Sequence, residues 1–168
     1  MMDQFKELSP TLLDKNAFML GKEWMLVTAE KDGKVNTMTA SWGGFGIMWN
    51  KNVAFIVLRP QRYTKEFIDA SDVFSLSFYD ESYRQTLGYL GKVSGREEDK
   101  VTKSALTITH TDAIPYFEEA NTVLLCKNLF AQTFEESSFI DTSILPSSYP
   151  NKDYHTLYIA EVTKVLVK

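Results

Sequence analysis

The chain has 168 residues, 44% of them apolar, and a formal net charge of −4, which fits one domain with a sizeable core and is too apolar for a disordered chain. The acidic balance disfavours a nucleic-acid partner, and no apolar run approaches the ~20 residues needed to cross a bilayer. A single cysteine, Cys126, rules out an internal disulfide, and with only His110 and His155 a cysteine- or histidine-rich metal centre is not expected.

The N-terminus, Met1 to Lys6, lacks the basic-then-apolar pattern of a secretory signal, so a soluble cytoplasmic protein is the expectation. Residues 1–20 read as an arm, with Ser9-Pro10 opening a capped helical turn. Trp24 to Ala29 reads as a strand, Asp32-Gly33 as a hairpin turn, and Val35 to Trp42 as the returning strand. Gly43-Gly44-Phe45-Gly46 interrupts that strand. It lacks the Lys and Ser/Thr of a phosphate-binding P-loop, so a bulge or bend at a barrel corner is expected. Trp49 to Asn52 turns the chain into Val53–Leu58, an apolar run with the look of a buried strand. Lys65 to Ala70 reads as a short helix, and Val73 to Phe78 alternates like a half-buried strand. Glu81 to Leu90 has helical spacing, with Tyr83, Leu87 and Leu90 on one face. Gly91 to Arg96 is a loop, and Asp99-Lys100-Val101 opens another short helix. Thr107 to His110 is expected on a loop or strand edge, Asn121 to Phe134 as one long strand or two, and Tyr154 to Val167 as a last strand. Cys126 lies among Val123, Leu124, Leu125 and Leu129, which suits a buried, inert thiol. The strands are too short and too turn-punctuated for a doubly wound parallel sheet, and the short helices between them suggest a decorated barrel.

The chemistry concentrates at Arg59-Pro60-Gln61-Arg62-Tyr63-Thr64, where the buried strand ends and a helix begins. Two guanidiniums, a phenol and a hydroxyl meet unpaired N–H groups and the positive end of a helix dipole, which suits a phosphate. Taken singly, each arginine is more often a solvated surface charge, and Lys100 sits in the mixed run Arg96 to Lys100, whose plain reading is a solvated face.

Three segments, Asn36-Thr37-Met38-Thr39-Ala40-Ser41-Trp42, the Arg59–Thr64 turn and Ser94-Gly95-Arg96-Glu97-Glu98-Asp99-Lys100, in this order resemble the flavin reductase-like family of FMN-binding split barrels, which includes flavoredoxin-type proteins. The resemblance runs from about Lys22 to the C-terminus and is thin after Asn121. It implies a mainly β fold, a six-stranded antiparallel split barrel with short helical insertions forming a single domain over residues 1–168. It also implies a homodimer with non-covalent FMN near the dimer interface. The resemblance assigns cofactor binding to Asn36, Thr39, Ala40, Ser41, Trp42, Arg62, Tyr63, Thr64 and Lys100. Arg59 is in the matching motif too, with a carboxylate as its other partner.

The expected function is that of an FMN flavoprotein oxidoreductase, an NAD(P)H:flavin reductase taking hydride from NADH or NADPH and passing electrons to a small-molecule or protein acceptor. No catalytic acid or base is assigned, since the hydride chemistry belongs to the flavin. No dinucleotide fingerprint is visible, so a flavoredoxin-type carrier reduced by a protein partner stays open, as does a non-enzymatic split barrel that binds another ligand.

Overall fold

A computed structural model describes residues 4–168, so the first three residues of the expected 1–20 arm lie outside it. In chain order the elements are β1 (Lys6–Leu8), α1 (Leu20–Glu23), β2 (Met25–Lys31), β3 (Lys34–Ala40), β4 (Gly43–Met48) and β5 (Lys51–Leu58). They continue with α2 (Tyr63–Ala70), β6 (Val73–Phe78), α3 (Arg84–Lys92), α4 (Lys100–Lys103), β7 (Ile108–Thr111), β8 (Ile114–Phe117), β9 (Thr122–Thr133), α5 (Ile144–Ser148) and β10 (Thr156–Val167). The main sheet is antiparallel in the order β3-β2-β6-β9-β10-β5-β4, with β1 paired to the end of β10. The six strands from β3 to β5 make the expected barrel, and β4 and β1 extend it.

The connectivity forces the curvature. β3 and β4 stand at opposite ends of the strand order, yet only Ser41 and Trp42 separate them in sequence. A residue spans at most ~3.6 Å, so the sheet must curl until its two edges meet. They meet without pairing, which leaves the barrel split. Met25 of β2 crosses the gap: its methyl group lies 3.4 Å from where a Cβ on Gly43 would sit. Register shifts between β9 and β10, at Ile159/Ala160 and Val162/Lys164, supply the bend on the opposite wall.

Alternation then sorts the side chains. Met25, Val27 and Ala29 of β2, Phe74, Leu76 and Phe78 of β6, and Leu124 and Cys126 of β9 fill the barrel together with Phe67 and Ile68 of α2. Leu26, Val123 and Leu125 point the other way, into a second core under α3, α4 and the β7–β8 hairpin, with Leu87, Leu90, Val101 and Phe117. β6 is therefore buried on both faces rather than half-buried; Ser75 on its outward face is wholly covered and donates to the Pro115 carbonyl at 2.6 Å.

Other expectations shift locally. Gly43 to Gly46 is not an interruption but the start of a strand paired along β5; the bend is at Ser41 to Gly43. Glycine is needed there because Gly43 has φ +152° and a Cβ would lie 2.4 Å from the Phe55 carbonyl oxygen. The returning strand stops at Ala40, short of Trp42, and Trp24 is the joint between α1 and β2 rather than a strand residue. The Asp32-Gly33 turn holds, both residues having positive φ, and Trp49-Asn50 makes a second such turn. α2 begins two residues early, at Tyr63; Ser9 makes no side-chain cap to the 3-10 turn Pro10–Leu12. The β7–β8 hairpin turns at Asp112-Ala113, both at positive φ, where the alanine gives no turn signal. Among the described residues no helix is long and apolar enough to cross a membrane.

Candidate functional site

The link between the two sheet edges also opens a cleft of about 230 Å³, lined by Thr39, Ala40, Ser41, Trp42, Arg59 and Arg62. Met38, Val57 and His155 complete its wall. The strand supplies a flat floor: Ser41 and Trp42, between the end of β3 and the start of β4, lie outside both strand ladders, so their backbone groups are left for a ligand edge. Trp42 is 51% exposed, with its ring tilted against His155 at 5.1 Å between centroids. Thr39 turns the other way and donates to the Leu87 carbonyl at 2.5 Å, fixing α3 against β3.

The two arginines of the turn have different surroundings. Arg59 is neutralised: its guanidinium pairs with Asp153 at 2.6 Å, donates to the Ser148 carbonyl at 2.7 Å and lies over the Tyr149 ring. Arg62 makes no ion pair among the described residues. Its Nη1 donates to the Gly91 carbonyl at 2.8 Å, and burial pulls its pKa below the ordinary guanidinium value. Lys100 stands behind it, 3% exposed, with Nζ donating to the carbonyls of Leu90 and Val93, both at 2.8 Å. Burial first, and then the neighbouring Arg62, push the Lys100 pKa down to about 8. Two cations thus clamp the last turn of α3 through carbonyls at residues 90, 91 and 93, where a helix end favours positive charge. Carbonyl dipoles position these cations without cancelling their charge.

The remaining predicted residues are close by but outside the cleft wall. Asn36 and Thr64 are buried and bonded to each other, Asn36 Nδ2 donating to Thr64 Oγ1 at 2.8 Å. Gly95 covers Asn36 so closely that a Cβ there would lie 2.3 Å from its Oδ1. Tyr63 packs edge-on to Phe67, with the Arg96 guanidinium over its ring at 4.7 Å. Lys100 does not line the cleft and acts on it through Arg62 and the α3 turn.

His155 is the functional candidate that sequence reasoning left aside. It is buried against the cleft, and its Nδ1 is 2.7 Å from the Tyr149 hydroxyl. Burial, then the charge of Arg59, lower its pKa to about 4, so the ring is neutral at pH 7. The signal that could have found it is register: Thr156 pairs with Leu58, which sets His155 beside Arg59.

On the far side of Thr39–Ser41 a second cleft of about 340 Å³ opens under α3, walled by Trp24, Gly88 and Lys92. No cluster of metal-ligating side chains occurs among the described residues.

The fold has clear relatives among solved structures. An FMN-binding domain of a flavin reductases-like enzyme from Shewanella baltica aligns over 99% of this chain and 78% of its own, with TM-score 0.73 and 19% identity. Flavoredoxin of Desulfovibrio vulgaris aligns over 87% of this chain and 69% of its own, with TM-score 0.68 and 24% identity. The styrene monooxygenase flavin reductase of Pseudomonas putida aligns over 85% and 77%, with TM-score 0.63 and 19% identity. No curated protein matches the sequence at a significant level. Residues 20–168 match the flavin reductase like domain, nearly the whole length of the chain. The chain therefore belongs to the flavin reductase-like family.

Proposed function

We propose that this protein is an FMN-binding oxidoreductase that receives hydride from NADH or NADPH and passes electrons to a small-molecule or protein acceptor. The observation that carries the reading is the Arg62–Lys100 pair, a partly buried and a buried cation held by carbonyls and by no carboxylate among the described residues, in a chain whose net charge is −4. A buried charge without a counter-charge is costly, and a doubly charged phosphate supplies the missing partner. Arg62 would hold the phosphate. Thr39, Ala40 and Ser41 would offer backbone groups to the ring edge, and Trp42 would offer an apolar face. Arg59, braced by Asp153, keeps the cleft wall in place. FMN, when bound, supplies the hydride-accepting ring, and the side chains orient it, exclude water and set its charge environment.

A flavoredoxin-type carrier is the second reading, favoured by the flavoredoxin among the structural relatives and by the absence of a dinucleotide fingerprint in the sequence.

A homodimer is part of the proposal. Phe130, Ile159, Phe55 and Gly44 form one row across β9, β10, β5 and β4 on the outer face of the sheet. Phe55 and Phe130 are 40% and 39% exposed, and Trp49, which packs near Phe130, is 55% exposed. An apolar patch of this kind marks an interface, and this one reaches toward the Trp42 side of the cleft through β4 and β5.

The test is a comparison of FMN with riboflavin. Arg62→Ala removes a charged hydrogen bond worth about 1.5–3 kcal/mol, so FMN should bind roughly 10- to 150-fold more weakly while riboflavin changes little. Quenching of flavin fluorescence reads both affinities. Equal losses for the two ligands would refute the placement of the phosphate.

A further inference from the structure

β4 starts beside the Trp42 cleft at Gly43 and runs away from it to Met48, and at that far end the barrel runs out of filling. Ile47 pairs with Asn52, two residues beyond the Phe45–Ala54 pair, so Ile47 and Asn52 stand on the same barrel-side face as Phe45 and Ala54. Ala54 is fully buried, yet Ile47 is 70% exposed. The space it borders is a chamber of about 280 Å³. Leu124, Val162 and Val165, all buried core residues, make its floor, and Pro10, Leu13 and Ala17 of the N-terminal arm make its outer wall. The arm is pinned there by β1, where Leu8 pairs with Val165. The chamber shares no lining residue with the Arg62 cleft or with the cleft under α3.

Charge and polarity narrow what the chamber can hold. Lys15 is the charged residue in its wall; its Nζ lies over the Phe78 ring at 5.1 Å and pairs with Glu23 at 3.2 Å, so the cation is already neutralised. A bound anion would compete with Glu23 for Lys15 and face the Glu23 carboxylate, and a bound cation would face the Lys15 ammonium. An uncharged molecule meets neither penalty. Asn52 is the other polar side chain of the wall, and among the described residues its amide has no hydrogen-bond partner. A mostly apolar pocket with one or two placed polar groups is the usual form of a small-molecule site. Size sets the remaining limit: an apolar cavity of about 150 Å³ holds benzene, so this one takes a single ring with a short substituent.

We infer that the chamber between the N-terminal arm and the far end of β4 is a binding site for a small uncharged molecule, one ring in size, whose carbonyl oxygen accepts a hydrogen bond from the Asn52 amide. The ring fills the space beside Leu13, Phe45 and Val162, and Ile47 covers its outer edge. The site stands whether or not FMN fills the Arg62 cleft, because the two have no residue in common.

The experiment titrates the full chain, with and without excess FMN, with acetophenone, ethylbenzene and benzoate, following amide resonances in ¹H–¹⁵N NMR spectra. Acetophenone should shift the Asn52 side-chain amide saturably, with the same affinity in the presence of FMN. Ethylbenzene, which lacks the oxygen, should bind about 2- to 13-fold more weakly, the worth of one neutral hydrogen bond, and benzoate should bind more weakly than either. Asn52→Leu should weaken acetophenone by that same factor and leave ethylbenzene within about twofold. Ile47→Asp, at an exposed position, should weaken both uncharged probes by about fourfold or more, the equivalent of one CH₂ of burial, and serves if Asn52→Leu fails to fold. Four results overturn the inference: acetophenone shifts no resonance of the chamber residues, FMN displaces it, benzoate binds as tightly as acetophenone, or the variants that fold bind acetophenone like the wild type. Failure of FMN itself to bind would overturn the flavin reading and leave these four outcomes readable.

Discussion

Replacing Lys100 with methionine tests whether a buried, unpaired charge underlies the cleft. At pH 7 the folded protein holds Lys100 charged although its pKa has dropped from 10.5 to about 8, and it is only 3% exposed. That shift corresponds to about 3 kcal/mol of destabilisation at neutral pH. Between pH 8 and 10.5 the unfolded chain binds more protons than the folded one, so stability rises with pH across this window. Methionine removes the charge and with it the slope. It also leaves the Leu90 and Val93 carbonyls without their donor, at about 1–3 kcal/mol each, at every pH. At pH 7 the two effects oppose, and Lys100→Met should be close to wild type or modestly weaker. By pH 10 the wild type has recovered most of its loss, so the gap between the proteins should widen by about 2–3 kcal/mol. Urea denaturation of the FMN-free proteins at the two pH values measures this, and groups titrating in both proteins cancel in the difference. A gap that stays constant with pH would refute the argument, because Lys100 would then be uncharged or solvated at neutral pH.

FMN affinity of the wild type should fall as pH rises past about 8, where Lys100 loses its proton, whereas Lys100→Met should bind more weakly and show no such decline; fluorescence titration at pH 7 and 9.5 checks both. Gly43→Ala puts a Cβ 2.4 Å from the Phe55 carbonyl at a φ of +152°, so it should cost about 1–3 kcal/mol or more, read as a lower melting temperature; an unchanged melting point would show that the β3–β4 link is loose. His155 has its folded pKa lowered to about 4 from an ordinary 6.5, so the unfolded chain takes up its proton first and stability is lost as pH falls through that window. His155→Phe keeps a ring against Trp42 and should abolish that portion of the acid slope, as measured by melting curves from pH 7 to 4.5. Burial raises the Cys126 thiol far above its ordinary pKa, so a thiol reagent at pH 8 should label it only on unfolding; labelling of the native protein at the unfolded rate would place it elsewhere.

The six strands β2, β3, β5, β6, β9 and β10, the Asp32-Gly33 turn and the basic turn after Leu58 were legible because each depends on residues adjacent in sequence. What escaped depends on residues far apart. The run Arg96 to Lys100 reads as a solvated face, and four of its five charged residues are only partly covered or exposed; Lys100 is buried because α4 packs under the end of α3. The partner of Arg59 lies 94 residues away at Asp153, in a stretch with no strand or helix pattern of its own. The β7–β8 hairpin carries Asp-Ala where Asp-Gly would have announced it, and the double burial of β6 follows from that hairpin lying against it. Gly43 and Gly44 were visible as breakers, but their cause, the carbonyl and ring of Phe55, is a cross-strand neighbour that only the register reveals.

The contrast between the two arginines explains how an acidic protein can build an anion site from so few charges. Arg59 and Arg62 flank a single turn, so they leave it toward different neighbours: one meets the Asp153 carboxylate and is neutralised, the other meets the end of α3. A carboxylate at the second position would have fixed Arg62 equally well and cancelled its field. The carbonyls of Leu90, Gly91 and Val93 fix both Arg62 and Lys100 and leave their net charge intact, because a helix C-terminus offers oriented partial charges and no whole one. α3 in turn is fixed to the strand floor by Thr39 and by the contact of Gly91 with it, where a Cβ would come within 3.0 Å of the threonine. The same packing that ends the helix therefore sets the distance between the cationic pair and the flat edge at Ala40 and Ser41. Moving Thr39 or Gly91 would shift that distance without touching a charge, which is why the site belongs to the fold as a whole rather than to the basic turn alone.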